Sequence, residues 1–155
     1  MYIPSTFAKT DSDDIARFMD RHPLATVVGV IDGRLEAHPL PFMREGAIAP
    51  GARLISHAAR GNDIWRLGES SSEVLLIFSG AEAYISPSYY PTKREQPRVV
   101  PTFNYARVQM RGTLACSHDA NEKRRAVEML TNRMESARAQ PWAITDAPPD
   151  YIEKM

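Results

Sequence analysis

LATVVGVIDGRLEAHPLPFM, residues 24–43, reads as two β-strands joined by a tight turn. Leu24 to Ile31 is rich in β-branched residues, which suit a pleated, half-buried surface. Asp32-Gly33 follows at once. That dipeptide is the strongest short hairpin signal, because both central residues of the preferred two-residue turn need positive φ. Arg34 to Met43 is then the returning strand. Pro39 and Pro41 cannot donate to a neighbouring strand, so this segment belongs at an edge, at a bulge, or where backbone faces a ligand.

Downstream, Glu45-Gly46 and Pro50-Gly51 flank a short extended piece, Ala47 to Ala49. Arg53 to His57 reads as a third strand, and it runs into Ala58-Ala59-Arg60-Gly61-Asn62. A short helix is expected next, with Ile64, Trp65 and Leu67 inward and Gly68 ending it. Glu73 to Gly80 is a continuous apolar run bounded by serines and glycine, hence a buried strand. Ala81 to Ser86 continues it after a bulge or bend at Gly80. Pro87 to Pro101 is the longest loop, with Tyr89 and Tyr90 adjacent. Phe103 to Leu114 alternates as a long strand. Asp119 to Glu122 is a capping box for a helix to about Arg138, with an apolar stripe of Val127, Leu130 and Met134.

Upstream, an extended arm gives way after Phe7 to a helix capped by Thr10, with Asp13 three residues on. Ile15, Phe18 and Met19 share its apolar face, and Pro23 stops it. Many strands with few helices point to a mainly-β barrel with helical decoration.

Composition bounds the function. The chain has 155 residues, with Lys plus Arg equal to Asp plus Glu at 19 each. Such a balance lacks the basic excess of a general nucleic-acid binder, and no helix–turn–helix pattern is present. DNA contact is thus supported by neither charge nor motif. Cys116 is the single cysteine, which rules out an internal disulfide and fits a reducing cytoplasm. Met1-Tyr2-Ile3-Pro4 lacks the basic and apolar regions of a signal peptide, and no apolar run is long enough to span a membrane.

The turn from Ser56 to Asn62 is the foremost chemical candidate. Arg60 suits bidentate phosphate contact, amide N–H groups at a helix start favour an anion, and Gly61 lets the backbone come close. Read alone, the same residues also describe an N-cap with a surface arginine. His38 and His57 have no third ligand at metal-binding spacing. Ser86 lacks a hydrolase elbow, and no Rossmann or Walker glycine pattern occurs. Tyr84, Tyr89, Tyr90, Phe103 and Tyr105 would suit either stacking on a planar ligand or packing at an interface.

Six ordered blocks sharpen this reading. They are Met1-Tyr2-Ile3-Pro4 with Phe7; Pro23 to Thr26; His38-Pro39-Leu40-Pro41; His57 to Asn62 with Trp65; Tyr84 to Ser88 with Tyr90; and Val100-Pro101-Thr102 with Asn104-Tyr105. In this order they resemble the PaiB-type FMN-binding proteins, often labelled negative transcriptional regulators. The resemblance spans nearly the whole chain.

It implies a split β-barrel related to pyridoxamine-phosphate oxidases and flavin reductases, occupying residues 1–155 as one domain and pairing as a homodimer. FMN would lie in grooves at the interface. Its phosphate would meet Ser56, His57, Arg60 and Asn62, and its isoalloxazine ring would lie beside His38, Pro39, Leu40 and Pro41. Tyr90, Asn104 and Tyr105 would close the site from the other subunit. Two departures accompany the resemblance. Tyr89 and Phe103 stand where the family usually has Trp, which keeps an aromatic face but loses an indole N–H. Family members also continue beyond the equivalent of Met155, with a further strand. Whether the domain regulates, turns over as a flavin-dependent oxidoreductase of the NAD(P)H:flavin reductase kind, or only carries flavin is left open by the sequence. His57 and Tyr90 are the candidate proton donors for the enzymatic reading.

Overall fold

The computed structural model describes residues 2–69, 73–94, 98–148 and 151. The serines expected to bound the apolar run and part of the Pro87–Pro101 loop lie outside the described residues.

β1 (Leu24–Ile31) and β2 (Arg34–Pro41) form the expected hairpin. Asp32 and Gly33 take φ of 52° and 76°, the positive values that match the turn to the strand twist. Ile31 pairs with Arg34 at the turn and Leu24 with Pro41 at the far end. Because hydrogen-bonded pairs alternate from Ile31↔Arg34, Pro39 and Pro41 fall at positions whose nitrogen points away from β1. The Phe42 N–H donates to the Pro23 carbonyl at 2.8 Å, in phase with that alternation. Among the described residues no strand pairs with the other side of β2, since the sheet order is β2-β1-β5-β6 with every pairing antiparallel. The two prolines therefore occupy an edge, as expected.

β5 (Glu73–Ile85) and β6 (Thr102–Thr113) form the other half of this sheet. Their register slips between Ser79 and Glu82, so Gly80 lies in a bulge. The reason is packing: a Cβ on Gly80 would stand 2.7 Å from the Phe18 ring of α1 (Ser12–Arg21). Arg107 pins the distortion, donating to the Gly80 carbonyl at 3.0 Å and to Glu82 at 2.5 Å. β3 (Met43–Glu45) and β4 (Arg53–Ile55) make a separate two-stranded ribbon.

The core lies on one face of the main sheet. Ala25, Val27, Leu76 and Phe78 point into it, meeting Met19 of α1, Phe42, Ile64 and Leu67. Leu67 belongs to α2 (Trp65–Glu69) and is completely buried, a contribution of about 1.5–3 kcal/mol. It seats directly over Gly29, where a Cβ would stand 2.5 Å from Leu67 Cδ2. The opposite face of the sheet carries Leu24, Val30 and Leu35, which are 61%, 49% and 76% exposed, so this apolar face is left uncovered by the described residues. The mainly-β split-barrel expectation holds, and among the described strands the sheet is open rather than closed on itself.

Several local expectations are corrected. Asp11, not Thr10, caps α1, accepting from the Asp14 N–H at 2.8 Å. The second strand breaks at Phe42, where the chain leaves the main sheet for the ribbon. Ala47 to Ala49 forms part of a turn held by Gly46 and Gly51 at positive φ, not an extended piece. Trp65 is exposed, because Ile64 and Leu67 already take the inward positions. Gly68 lies inside α2, where its missing Cβ leaves room for Cys116 Sγ and Leu114. α3 (Ala120–Glu135) has the expected Asp119 cap, but it ends before Arg138 and leaves Met134 exposed. Ion pairs fasten it: Arg133 with Asp20 at 3.4 Å, and Arg125 with Glu45.

Candidate functional site

The Ser56–Asn62 segment is positioned from both ends. On one side Met43↔Ile55 pairing holds the ribbon beside the end of β2. On the other, Leu67 locks α2 onto Gly29. Between them the strand stops at Ile55, two residues earlier than expected, and the Ser56 hydroxyl donates to the Pro41 carbonyl at 2.7 Å. That bond draws the turn against the His38–Pro41 segment.

Each side chain in the turn then has a distinct state. The Ser56 hydroxyl already donates its hydrogen bond to the Pro41 carbonyl. Burial holds the half-buried His57 imidazole below its usual pKa, so at neutral pH it offers an N–H without a charge. Arg60 is exposed and forms no ion pair among the described residues. Asn62 turns its Oδ1 onto the Ile64 N–H at 3.0 Å, which leaves its Nδ2 to donate outward. A Cβ on Gly61 would meet nothing within 4 Å, so the backbone here is open to an approaching group. The helix begins only at Trp65 and has 5 residues, so the expected anion site at a helix start is corrected: side chains and turn amides remain as the donors. An unpaired guanidinium, the Asn62 amide and the neutral His57 N–H suit the dianionic phosphate of a mononucleotide.

Strand alternation divides the second segment. Pro39 faces the uncovered apolar side, while His38 and Leu40 face inward. Leu40 is buried in the core. His38 Nε2 is shielded from solvent yet has no hydrogen-bond partner, a cost of about 1–3 kcal/mol until something meets it. It lines a cavity of about 510 Å³ together with Arg34 and Glu36 of the same strand face and Asp63 and Arg66 beyond the turn. Sequence reading missed this cavity. Its signal was the period-two run of polar residues Arg34, Glu36 and His38 on a strand.

Asn104 and Tyr105 are not brought to this cluster within one chain. Asn104 and Tyr105 are on β6, at the opposite edge of the sheet from β2. Three strand spacings separate the edges, roughly 14 Å. Asn104 and Tyr105 also point to opposite faces, Tyr105 lying with Glu82, Tyr84 and Phe103 on the uncovered side. The Tyr84 and Phe103 rings are 5.5 Å apart, and the Arg107 guanidinium is 5.8 Å from the Tyr105 ring. Tyr90 is partly exposed at the end of the 3₁₀ turn Pro87–Tyr89. Cys116 is an exposed residue whose Sγ tucks against Gly68, and burial with Glu69 nearby pushes its thiol pKa up, away from nucleophilic use.

Residues 1–155 match the family described as "Putative FMN-binding domain". The chain belongs to this FMN-binding family. FMN is accordingly its cofactor, and the donors of the Ser56–Asn62 turn fit the phosphate of that group. The chain is 32% identical over 155 residues to "Protease synthase and sporulation protein PAI 2" of Bacillus subtilis, covering 99% of this chain and 70% of that protein. Its fold is similar to that of the FAD and heme binding protein from Mycobacterium smegmatis, with TM-score 0.65 at 22% identity, over 93% of this chain and 62% of the other. The flavocytochrome Anf3 from Azotobacter vinelandii matches with TM-score 0.66 at 17% identity, over 99% and 65%. The chain thus spans somewhat under two thirds of these two solved structures. Among the described residues, no group of three His, Cys, Asp or Glu side chains could hold a metal ion, and no helix is long and apolar enough to cross a membrane.

Proposed function

We propose that this domain is a cytoplasmic, PaiB-type flavin-dependent regulator whose FMN site is completed by a second copy of the chain. One observation carries the placement. The Ser56–Pro41 hydrogen bond holds the Ser56–Asn62 turn against the edge segment His38–Pro41, and Arg60 in that turn forms no ion pair among the described residues. In this reading Arg60, Asn62, His57 and the turn backbone hold the FMN phosphate. Pro39, free of any ladder and on the uncovered face, borders the isoalloxazine ring, while His38 and Leu40 beside it face the other way. Asn104 and Tyr105, at the opposite edge of the sheet in their own chain, serve the partner's flavin together with Tyr90. The uncovered face bearing Leu24, Val30 and Leu35 is the surface on which the copies pair, since exposed apolar patches of this kind favour association. FMN, when bound, supplies electron-transfer chemistry; the chain's own part is to bind, orient and shield it.

Regulation by direct DNA reading is the weaker version of this function. The arginines of α3 are engaged at home: Arg125 with Glu45, Arg133 with Asp20, Arg124 with Glu128. Paired guanidiniums are poor candidates for phosphate contacts along a duplex. The second reading, a flavin-dependent oxidoreductase that draws electrons from a nicotinamide, needs no contact with a duplex. Titration of the purified protein with FMN is the deciding experiment. Quenched flavin fluorescence with saturation at one FMN per chain, in a species of dimeric mass, is expected. Absence of binding removes the proposal. NADH or NADPH oxidation in the presence of FMN selects the enzyme, and a salt-resistant gel shift on the protein's own promoter selects the regulator.

A further inference from the structure

The cavity beneath the β1–β2 hairpin is lined by none of the residues Ser56–Asn62 of the turn that suits the flavin phosphate, and its charges are unbalanced. Asp32 and Arg66 pair with each other at 2.5 Å and satisfy one wall. Arg34, Glu36 and Asp63 form no ion pair among the described residues, although the charge of Asp63 reaches Arg66. His38 Nε2 is shielded there without a partner. What remains for a ligand is therefore one cation, two anions and one ring nitrogen. Arg34 and Glu36 are two residues apart on one strand face, about 6.6–6.8 Å along the backbone, so the complementary charges of an occupant must also be separated. The volume of about 510 Å³ is that of a small-molecule site.

We propose that this pocket binds a basic α-amino acid of the lysine type. Its carboxylate answers Arg34, its two ammonium groups answer Glu36 and Asp63, and His38 Nε2 gains a hydrogen bond. A simple carboxylate would leave both acids unmatched, and a simple amine would leave Arg34 unmatched. The pocket opens on the inward face of β2, whereas Pro39 faces the other side, so occupancy here does not depend on the flavin assignment.

Calorimetric titration with L-lysine tests the proposal, with hexanoate and hexylamine as single-charge controls. Saturable binding of one lysine per chain is expected, with each control at least about tenfold weaker, the effect of losing about 1.4 kcal/mol of charge matching. Arg34→Ala and the isosteric Glu36→Gln should each weaken lysine by about tenfold or more, leave FMN affinity unchanged, and keep the far-ultraviolet dichroism of the parent. No saturable heat at millimolar lysine, equal binding of either control, or full affinity in both variants overturns the proposal. So does a parallel loss of FMN affinity, which would make the cavity part of the flavin site. Lysine binding in a protein that fails to bind FMN would remove the flavin reading and leave this one standing.

Discussion

The Ser56 hydroxyl and the Pro41 carbonyl are joined by a 2.7 Å hydrogen bond that ties the turn after β4 to the end of the edge strand. Pro41 lies where the ladder leaves backbone groups unused, so this serine substitutes for a missing strand. Ser56→Ala is expected to cost about 1 kcal/mol of stability, since the partly buried carbonyl loses its donor. For a chain of this size that lowers the melting temperature by roughly 2–4 °C. FMN affinity should fall as well, because the turn is no longer held beside His38. Thermal unfolding and a fluorescence titration check both; an unchanged melting temperature with unchanged affinity would show that the bond positions nothing.

Arg60 has no ion-pair partner among the described residues. Arg60→Ala should leave thermal stability within about 0.5 kcal/mol of the parent, as for surface substitutions generally. FMN binding should weaken by about tenfold or more, the scale of a charge-assisted contact. Riboflavin, which lacks the phosphate, should bind the variant as it binds the parent. Equal losses for the two ligands would place Arg60 away from the phosphate.

Gly29 is the seat of Leu67, and the seat has no spare room. A Cβ at Gly29 would approach Leu67 Cδ2 to 2.5 Å, well inside contact distance. Gly29→Ala should therefore destabilise by about 1–3 kcal/mol as the core is overpacked. Because Leu67 fixes α2, and α2 fixes the end of the turn, FMN affinity should drop in step. Gly61→Ala is the contrast: open space surrounds that position, so stability should be retained while any ligand on the turn is crowded. Urea unfolding separates the two.

His57 gives the site a pH dependence with a definite sign. Its folded-state pKa lies below the usual 6.5 because burial disfavours the imidazolium. Between that lowered value and 6.5 the unfolded chain binds more protons than the folded one, so stability rises with pH across this window. Acidification below about pH 6.5 should progressively remove His57's contribution until the folded pKa is passed. His57→Gln should flatten that part of the profile and leave the stability change above about pH 7 unaltered. Urea unfolding of both proteins from about pH 8 to about pH 5 provides the measurement; superimposable pH slopes would show that His57 is not the group that titrates.

The strands, the hairpin and the helix caps were readable because their causes are local. Val and Ile content, Asp32-Gly33, the positions of Pro39 and Pro41, and the Asp119 cap act within a few residues of where they stand. Errors fell where a neighbour in space decided. Trp65 was expected inward by spacing alone, yet Ile64 and Leu67 hold the core positions and leave it outside. Met134 completes a stripe on α3 by spacing, but only Ala126 and Val127 of that helix are buried, and Met134 stays 46% exposed.

The sequence by itself determined a mainly-β chain with an edge-strand hairpin, and its ordered motifs marked the FMN-binding family. Periodicity and turn chemistry require no knowledge of what lies opposite. Only the tertiary structure decided that Ser56 meets Pro41, that His38 shares a cavity with Asp63, and that β2 and β6 hold the two halves of the expected flavin site at opposite edges of one sheet. Those meetings depend on sheet order and on one leucine seated over one glycine, contacts between residues far apart in the chain, which no local pattern encodes.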